Sequence, residues 1–307
     1  AGRLARDLDA EAFPGVGDWV SLRSRPGPDR TAVIDGVLER RTAFVRGAAG
    51  RQVRGQVVAA NVDVVFIVCG LDRDYNLHRI ERYLARIWAS GAQPVVILNK
   101  ADVCEEVEGR ACEVEASCPG VPVLAMSALL SQGLDPLRER IGRGVTAAFV
   151  GSSGAGKSTL VNRLLGEERM TTREVREGDG RGRHTTTHRQ LFRVPERGLV
   201  IDTPGMRELQ LFDEEGIDAV FSEIEVLAAG CRFRDCTHQA EPGCAVREAV
   251  TEGELSLDRI EHYLKLGAEA RAYELRLDTG RRRKADRAFS KQIARDGELI
   301  RRRKEGE

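Results

Sequence analysis

The sequence predicts an α/β protein built on a parallel β-sheet, preceded by a small antiparallel β unit and followed by a helical segment holding a Cys/His cluster. Three observations predict this. From about residue 57, short apolar runs alternate with stretches of helical periodicity; β-branched residues and turn signals crowd residues 14–46; and four metal-ligand side chains fall within fourteen residues, from Cys231 to Cys244. The expected organisation is a β domain over 1–54, an α/β domain over 55–213 and a helical, metal-binding domain over 214–307.

Each element follows in order. GVGDWVSL, the polar loop RPGPDR and TAVIDGVLERRTAFVR read as short strands around turns. VDVVFIV (62–68) and PVVIL (94–98) are buried-type strands, with Leu77, Ile80, Leu84 and Ile87 at helical spacing between them. VPVLAMS (121–127), AAFVG (147–151) and LVIDT (199–203) continue the series. Strands of this kind separated by helices imply a parallel sheet with helices on both faces and ligand sites at the carboxyl ends of the strands. Beyond residue 214 the pattern is helical, and LDRIEHYLKL puts Ile260, Tyr263 and Leu264 on one face.

Composition sets limits on function. The 307 residues carry 48 Lys+Arg and 48 Asp+Glu, which excludes a uniformly basic polyanion binder. The charge is unevenly placed: +3 over 1–54 (10 basic, 7 acidic), −9 over 55–270 (25 and 34) and +6 over 271–307 (13 and 7). The basic tail, with RRRK at 281–284 and 301–304, reads equally as a solvated helix or as an RNA-contacting segment. No run approaches the roughly 18 to 20 apolar residues that span a bilayer, and no hydrophobic signal region opens the chain. A cytoplasmic, monomeric protein with no membrane contact is expected.

GSSGAGKS (151–158) fits the phosphate-loop pattern G-x-x-x-x-G-K-[ST] between a strand and a helix. Gly151, Gly154 and Gly156 let the backbone curl, so that amide N–H groups of Ser152, Ser153, Ala155 and their neighbours through Thr159 can face phosphates. Lys157 adds positive charge near the β and γ oxygens, and Ser158 can ligate magnesium. In DTPG (202–205), Asp202 at a strand end can hold magnesium through water, and Gly205 leaves its N–H open to a γ-phosphate.

NKAD (99–102) follows another strand. Asp102 can accept from the guanine N1–H and N2–H₂ edge, Asn99 can bond the base and tie loops together, and the Lys100 stem can cover the ring. Adenine lacks those donors, so a carboxylate facing it would be left unpaired. Ser127 and Ala128 begin a third segment, SAL (127–129), which would offer a backbone N–H to the guanine O6. GTP or GDP with magnesium is the ligand these residue types fit.

These motifs resemble those of translation-factor-class P-loop GTPases in a different chain order. NKAD and SAL precede the phosphate loop, as in a circularly permuted GTPase. Whatever follows Gly205 then hangs directly on the region that would sense the γ-phosphate. Here that is CRFRDCTHQAEPGC, in which Cys231, Cys236, His238 and Cys244 make a C-x₄-C-x-H-x₅-C set suited to one closed, structural zinc site. Cys69, Cys104, Cys112 and Cys118 lack such a pattern and read as ordinary thiols.

The whole arrangement resembles the ribosome small-subunit-dependent GTPase A family (RsgA, also called YjeQ). The resemblance implies an OB-fold β-barrel, partial here because only about 50 residues precede the central domain, then a permuted GTPase domain and a zinc-containing helical domain. It also implies binding to the small ribosomal subunit and its rRNA late in maturation, GTP hydrolysis there and release of assembly factors. GRGRHTTT (180–187) looks like switch I. By family position Thr186 ligates magnesium, although spacing alone admits Thr185 or Thr187. Met206 stands where a Ras-like enzyme has Gln and cannot orient water by hydrogen bonding, so His184 is the candidate for that task. Arg181 or Arg183 could stabilise transition-state charge or contact RNA. The same residue, Met206, keeps open a second reading: a nucleotide-gated rRNA-binding module in which hydrolysis is secondary.

Overall fold

The computed structural model describes residues 13–23, 32–47, 55–167, 190–202 and 215–275. Among them, a six-stranded sheet runs in the order β7-β6-β5-β8-β10-β9. Its strands are β5 (Val64–Gly70), β6 (Gln93–Asn99), β7 (Val123–Ala125), β8 (Thr146–Val150), β9 (Gln190–Arg193) and β10 (Leu199–Asp202). Five are parallel, and β9 closes one edge antiparallel to β10.

The strands are continuous apolar runs because both faces are covered. Successive residues of β5 go to opposite sides: Val65, Ile67 and Cys69 join one core, Phe66 and Val68 the other. The first core is closed by α1 (Leu77–Ala89), through Ile80, Leu84 and Ile87, and by Val114 of α2 (Val107–Ser117). The second is closed by Leu137 of α3 (Asp135–Glu139) and by Leu160, Val161 and Leu164 of α4 (Lys157–Leu165). Phe66 and Phe149 stack across β5 and β8 with ring centroids 5.1 Å apart.

This topology places the site. From β5 the chain steps outward to β6 and β7 with α1 and α2 on one face, then returns to β8 on the other side of β5 and crosses to the opposite face. The reversal opens a crevice between the carboxyl ends of β5 and β8, the position at which doubly wound sheets bind ligands.

Ahead of the sheet lie two antiparallel pairs, β1 (Val20–Leu22) with β2 (Ile34–Val37) and β3 (Ala43–Gly47) with β4 (Gly55–Ala60). β4 lies beyond residue 54, where the sequence pattern divided the chain, yet it pairs back onto β3. Asn61 fastens this unit: its Oδ1 accepts from Arg41 N at 2.9 Å and its Nδ2 donates to Gly17 O at 3.0 Å. Arg86 of α1 donates to Val45 O at 2.6 Å and ties β3 to the central layer.

After the sheet come α5 (Glu215–Val220), α6 (Ser222–Ala228), α7 (Ala245–Glu252) and α8 (257–275), which pack on the α1 face through Ile217, Phe221, Ile224, Val246 and Leu266. No helix among the described residues is long and apolar enough to cross a membrane.

Candidate functional site

The phosphate loop leaves β8 at Gly151 and enters α4 at Lys157. Ser152, Ser153, Gly154 and Ala155 form the turn between them, and Ser158 and Thr159 lie in the first turn of α4. Two glycines are required by space as well as by conformation. At Gly151 (φ 138°) an added Cβ would stand 2.1 Å from Val68 O of β5, and at Gly156 (φ 99°) 2.1 Å from Asn99 Nδ2. Lys157 Nζ curls over the loop and donates to Gly151 O at 2.8 Å and to Ser152 O.

Asn99 joins the NKAD and SAL segments to this loop. It is 2% exposed at the end of β6, donates from Nδ2 to Ala155 O at 2.8 Å and accepts at Oδ1 from Ala128 N at 3.0 Å. One amide therefore holds the phosphate loop and the SAL segment together. Lys100 follows in a left-handed conformation (φ 64°), with Nζ 2.5 Å from Asp72 Oδ2. Burial alone would raise the Asp72 carboxyl, but the Lys100 bond and the Asp74 N–H outweigh it and leave the group below its ordinary range. Asp102 lies exposed in a single 3₁₀ turn, Ala101–Val103. Ser127 is buried, and its Oγ accepts from Leu130 N at 3.1 Å.

Asp202 ends β10, two strands from β5 and next to β8. The other predicted elements of the γ-phosphate side, His184 and Thr186 in 180–187 together with Gly205 and Met206, lie outside the described residues. The structure thus brings together Asn99, Lys100, Asp102, Ser127, Ala128, the loop 151–159 and Asp202 on one edge of one sheet.

The second predicted site also assembles. Cys231 Sγ lies 3.6 Å from His238 Nδ1 and 3.9 Å from Cys244 Sγ, His238 Nδ1 is 3.4 Å from Cys244 Sγ, and Cys236 completes a set whose ligand atoms lie within 4.8 Å of one another. A tetrahedron with Zn–S of about 2.3 Å and Zn–N of about 2.0–2.1 Å has edges of roughly 3.6–3.8 Å, so the donor set and its spacing are compatible with zinc. Local structure builds the cluster. Burial pushes the Cys231 thiol up, but the Val246 and Ala245 amides at the start of α7 outweigh this and bring it below its ordinary value. Glu241 accepts from the N–H groups of Thr237, Gln239 and Ala240 at 2.9–3.1 Å and so knits the loop between His238 and Cys244. Of the other thiols, Cys69 and Cys118 are buried and Cys112 is exposed.

Sequence reasoning missed the supports. Asp74, just past β5, accepts from Ser152 Oγ and pairs with Arg79 of α1 at 2.8 Å, so the phosphate loop is latched to α1. Arg163 of α4 donates to Ala128 O and Leu129 O. On the far side of α1, Glu81 is 1% exposed and accepts from Arg259 of α8 and from His262 Nδ1 at 2.5 Å, while Arg259 also reaches Glu223, Ser117 O and Val220 O. His78, Glu81 and His262 lie close enough to suggest a metal site, but the two imidazoles stack face to face 4.1 Å apart. Their lone pairs then run side by side rather than converging, and Glu81 is already neutralised by Arg259. This cluster is a structural hub. Only the His78/Glu81 and Arg259/His262 pairs, each three residues apart, could have hinted at it.

Comparison with known proteins agrees with this geometry. A sequence profile of the RsgA GTPase family matches residues 37–212. A small ribosomal subunit biogenesis GTPase RsgA of Opitutus terrae is 50% identical over 285 residues, covering 90% of this chain and 77% of that protein. The protein of the same name from Xanthomonas euvesicatoria pv. vesicatoria is 50% identical over 86% of this chain and 71% of its own. Among solved structures, YjeQ from Thermotoga maritima aligns with a TM-score of 0.63 at 29% identity, covering 88% of both chains. YloQ, a circularly permuted GTPase, aligns at 0.59 and 25% identity, covering 88% of this chain and 84% of its own. With the strands that carry NKAD and SAL, β6 and β7, preceding the phosphate-loop strand β8 in the chain and lying across β5 from it in the same sheet, this protein belongs to the RsgA GTPase family.

Proposed function

We propose that this GTPase binds the small ribosomal subunit late in its maturation, hydrolyses GTP there and promotes release of assembly factors. The observation that carries the reading is Asn99, which fastens the phosphate loop and the SAL segment to one side chain between them. The names of its relatives, at 50% identity over most of the chain, support the small subunit as the partner.

In this reading the amides of 151–159 and Lys157 bind the phosphates, Asp102 reads the guanine N1–H and N2–H₂ edge, the Lys100 stem covers the ring and the SAL segment meets O6. Ser158, Asp202 and Thr186 would hold magnesium, which when bound neutralises phosphate charge. Gly205 would meet the γ-phosphate, and His184 orients the attacking water on the ribosome. Cys231, Cys236, His238 and Cys244 hold one structural zinc ion. The rRNA is gripped by the Arg-rich ends of a monomeric, cytoplasmic protein. The β unit runs to about Ala60, where β4 ends, the GTPase domain from there to 213 and the zinc domain over 214–307.

Phosphate release measured with purified small subunits should rise well above the rate with large subunits or with none; equal rates would refute the partner. His184→Ala should keep GTP affinity and lose the stimulated rate. Asp102→Asn should weaken GTP while sparing xanthosine triphosphate, and equal losses for both nucleotides would remove Asp102 from base reading. Met206 favours the second reading, a nucleotide-gated rRNA binder. That reading predicts subunit binding that follows nucleotide state without stimulated turnover.

A further inference from the structure

The proposed base reading needs a backbone N–H aimed at the guanine O6, and the hydrogen bonds of the SAL turn leave few to choose from. Ser127 N donates to Gln132 O at 3.1 Å, Ala128 N to Asn99 Oδ1 at 3.0 Å and Leu130 N to Ser127 Oγ at 3.1 Å. Among the described residues, the Leu129 N–H has no protein acceptor. Leu129 itself is 69% exposed at the tip of the turn, where little packing holds its peptide plane.

Arg163 supplies that hold. It lies on α4, the helix whose first turn carries Lys157, and donates from Nε to Ala128 O at 3.2 Å and from Nη2 to Leu129 O at 3.1 Å. In a trans peptide the carbonyl of one residue and the N–H of the next point in opposite directions. Fixing Ala128 O on the guanidinium therefore aims the Leu129 N–H away from Arg163. If that peptide flipped, it would present a carbonyl instead, which repels a 6-oxo group.

We propose that Arg163 is a positioning residue for base recognition, holding the Ala128–Leu129 peptide so that the Leu129 N–H, rather than that of Ala128, meets the 6-oxygen of guanine. The inference rests on the base reading above and adds to it which N–H acts and what orients it. A planar two-donor fork suits two successive carbonyls, which a lysine cannot span in the same way.

The test is the affinity of the intact protein, Arg163→Ala and Arg163→Met for GTP and for 2-aminopurine riboside triphosphate, a fluorescent analogue without the 6-oxygen. Methionine keeps most of the apolar stem and removes the fork, which separates donation from packing. Both variants should bind GTP about five- to tenfold more weakly and stay within about twofold for the analogue. Equal weakening toward both nucleotides, or an unchanged GTP affinity, overturns the role of Arg163. If the unsubstituted protein itself holds GTP no more tightly than the analogue, the base reading fails and takes this role with it. If it discriminates while the variants lose both nucleotides in parallel, only the role of Arg163 fails.

Discussion

At the scale of single residues, the site depends on positions where no other side chain fits. Gly156 is left-handed and its missing Cβ leaves room for the Asn99 amide, so Gly156→Ala pushes aside the group that ties phosphate loop to base loop. The strain of a non-glycine residue there is about 1–2 kcal/mol before any overlap is counted. GTP affinity should fall by more than about tenfold, since each 1.4 kcal/mol is a factor of ten, with a lowered melting temperature; titration of labelled nucleotide and thermal unfolding check both. The types Gly, Lys, Asn and Asp at these positions were legible in the sequence because phosphate and guanine chemistry require them. Asp74 and Arg163 were not, because a latch between a loop and a helix leaves no spacing pattern; it exists only once β5 and β8 are neighbours.

At the scale of elements, α1 is the common support. Its first turn reaches the phosphate loop through Arg79 and Asp74, and its middle reaches α8 through Glu81 and Arg82. Glu81 is the carboxylate shared by Arg259 and His262, so Glu81→Ala would leave Arg259 to Glu223 and two carbonyls and the buried His262 Nδ1 without its acceptor, at a cost of about 1–3 kcal/mol. Urea unfolding should show that loss, and a change under about 1 kcal/mol would mean the pair is solvated. The zinc-loop turn makes a second prediction. Hydrogen bonds from the Thr237 hydroxyl and N–H and from the neighbouring amides lower the Glu241 carboxyl to about 2. A lowered folded value means that this tether is intact above the ordinary carboxylate range, near pH 4.5, and is lost as pH falls toward about 2. Glu241→Gln should therefore release zinc faster at neutral pH, read by a chromogenic chelator, and an unchanged rate would show that the turn holds without the charge. Strands β5 to β8 and β10, and helix α1, were readable from the apolar runs and their periodicity. β4 was not, because GQVVAA is short and finds its reason only in pairing with β3.

At the scale of the whole molecule, the two sites are built on different parts of the fold. The nucleotide edge is formed by strand ends of the sheet, whereas the Cys231–Cys244 loop sits among helices packed on the α1 face. With the proposed zinc ion in place, stripping it with a chelator should lower helical signal and small-subunit association while GTP affinity is retained; loss of nucleotide binding in parallel would show that the Cys231–Cys244 region supports the sheet itself. The balanced total of 48 basic and 48 acidic side chains is likewise a sum of unlike regions, an acidic centre between Arg-bearing ends. The sequence by itself determined the chemistry and the permuted order, because ligand-facing residue types and apolar periodicity are local properties of a chain. Only the tertiary structure decided which strand lies beside which, and that Arg163, Asp74 and Glu81 are supports. Those roles arise from contacts between residues 34 to 181 positions apart, and such contacts leave no mark in local pattern.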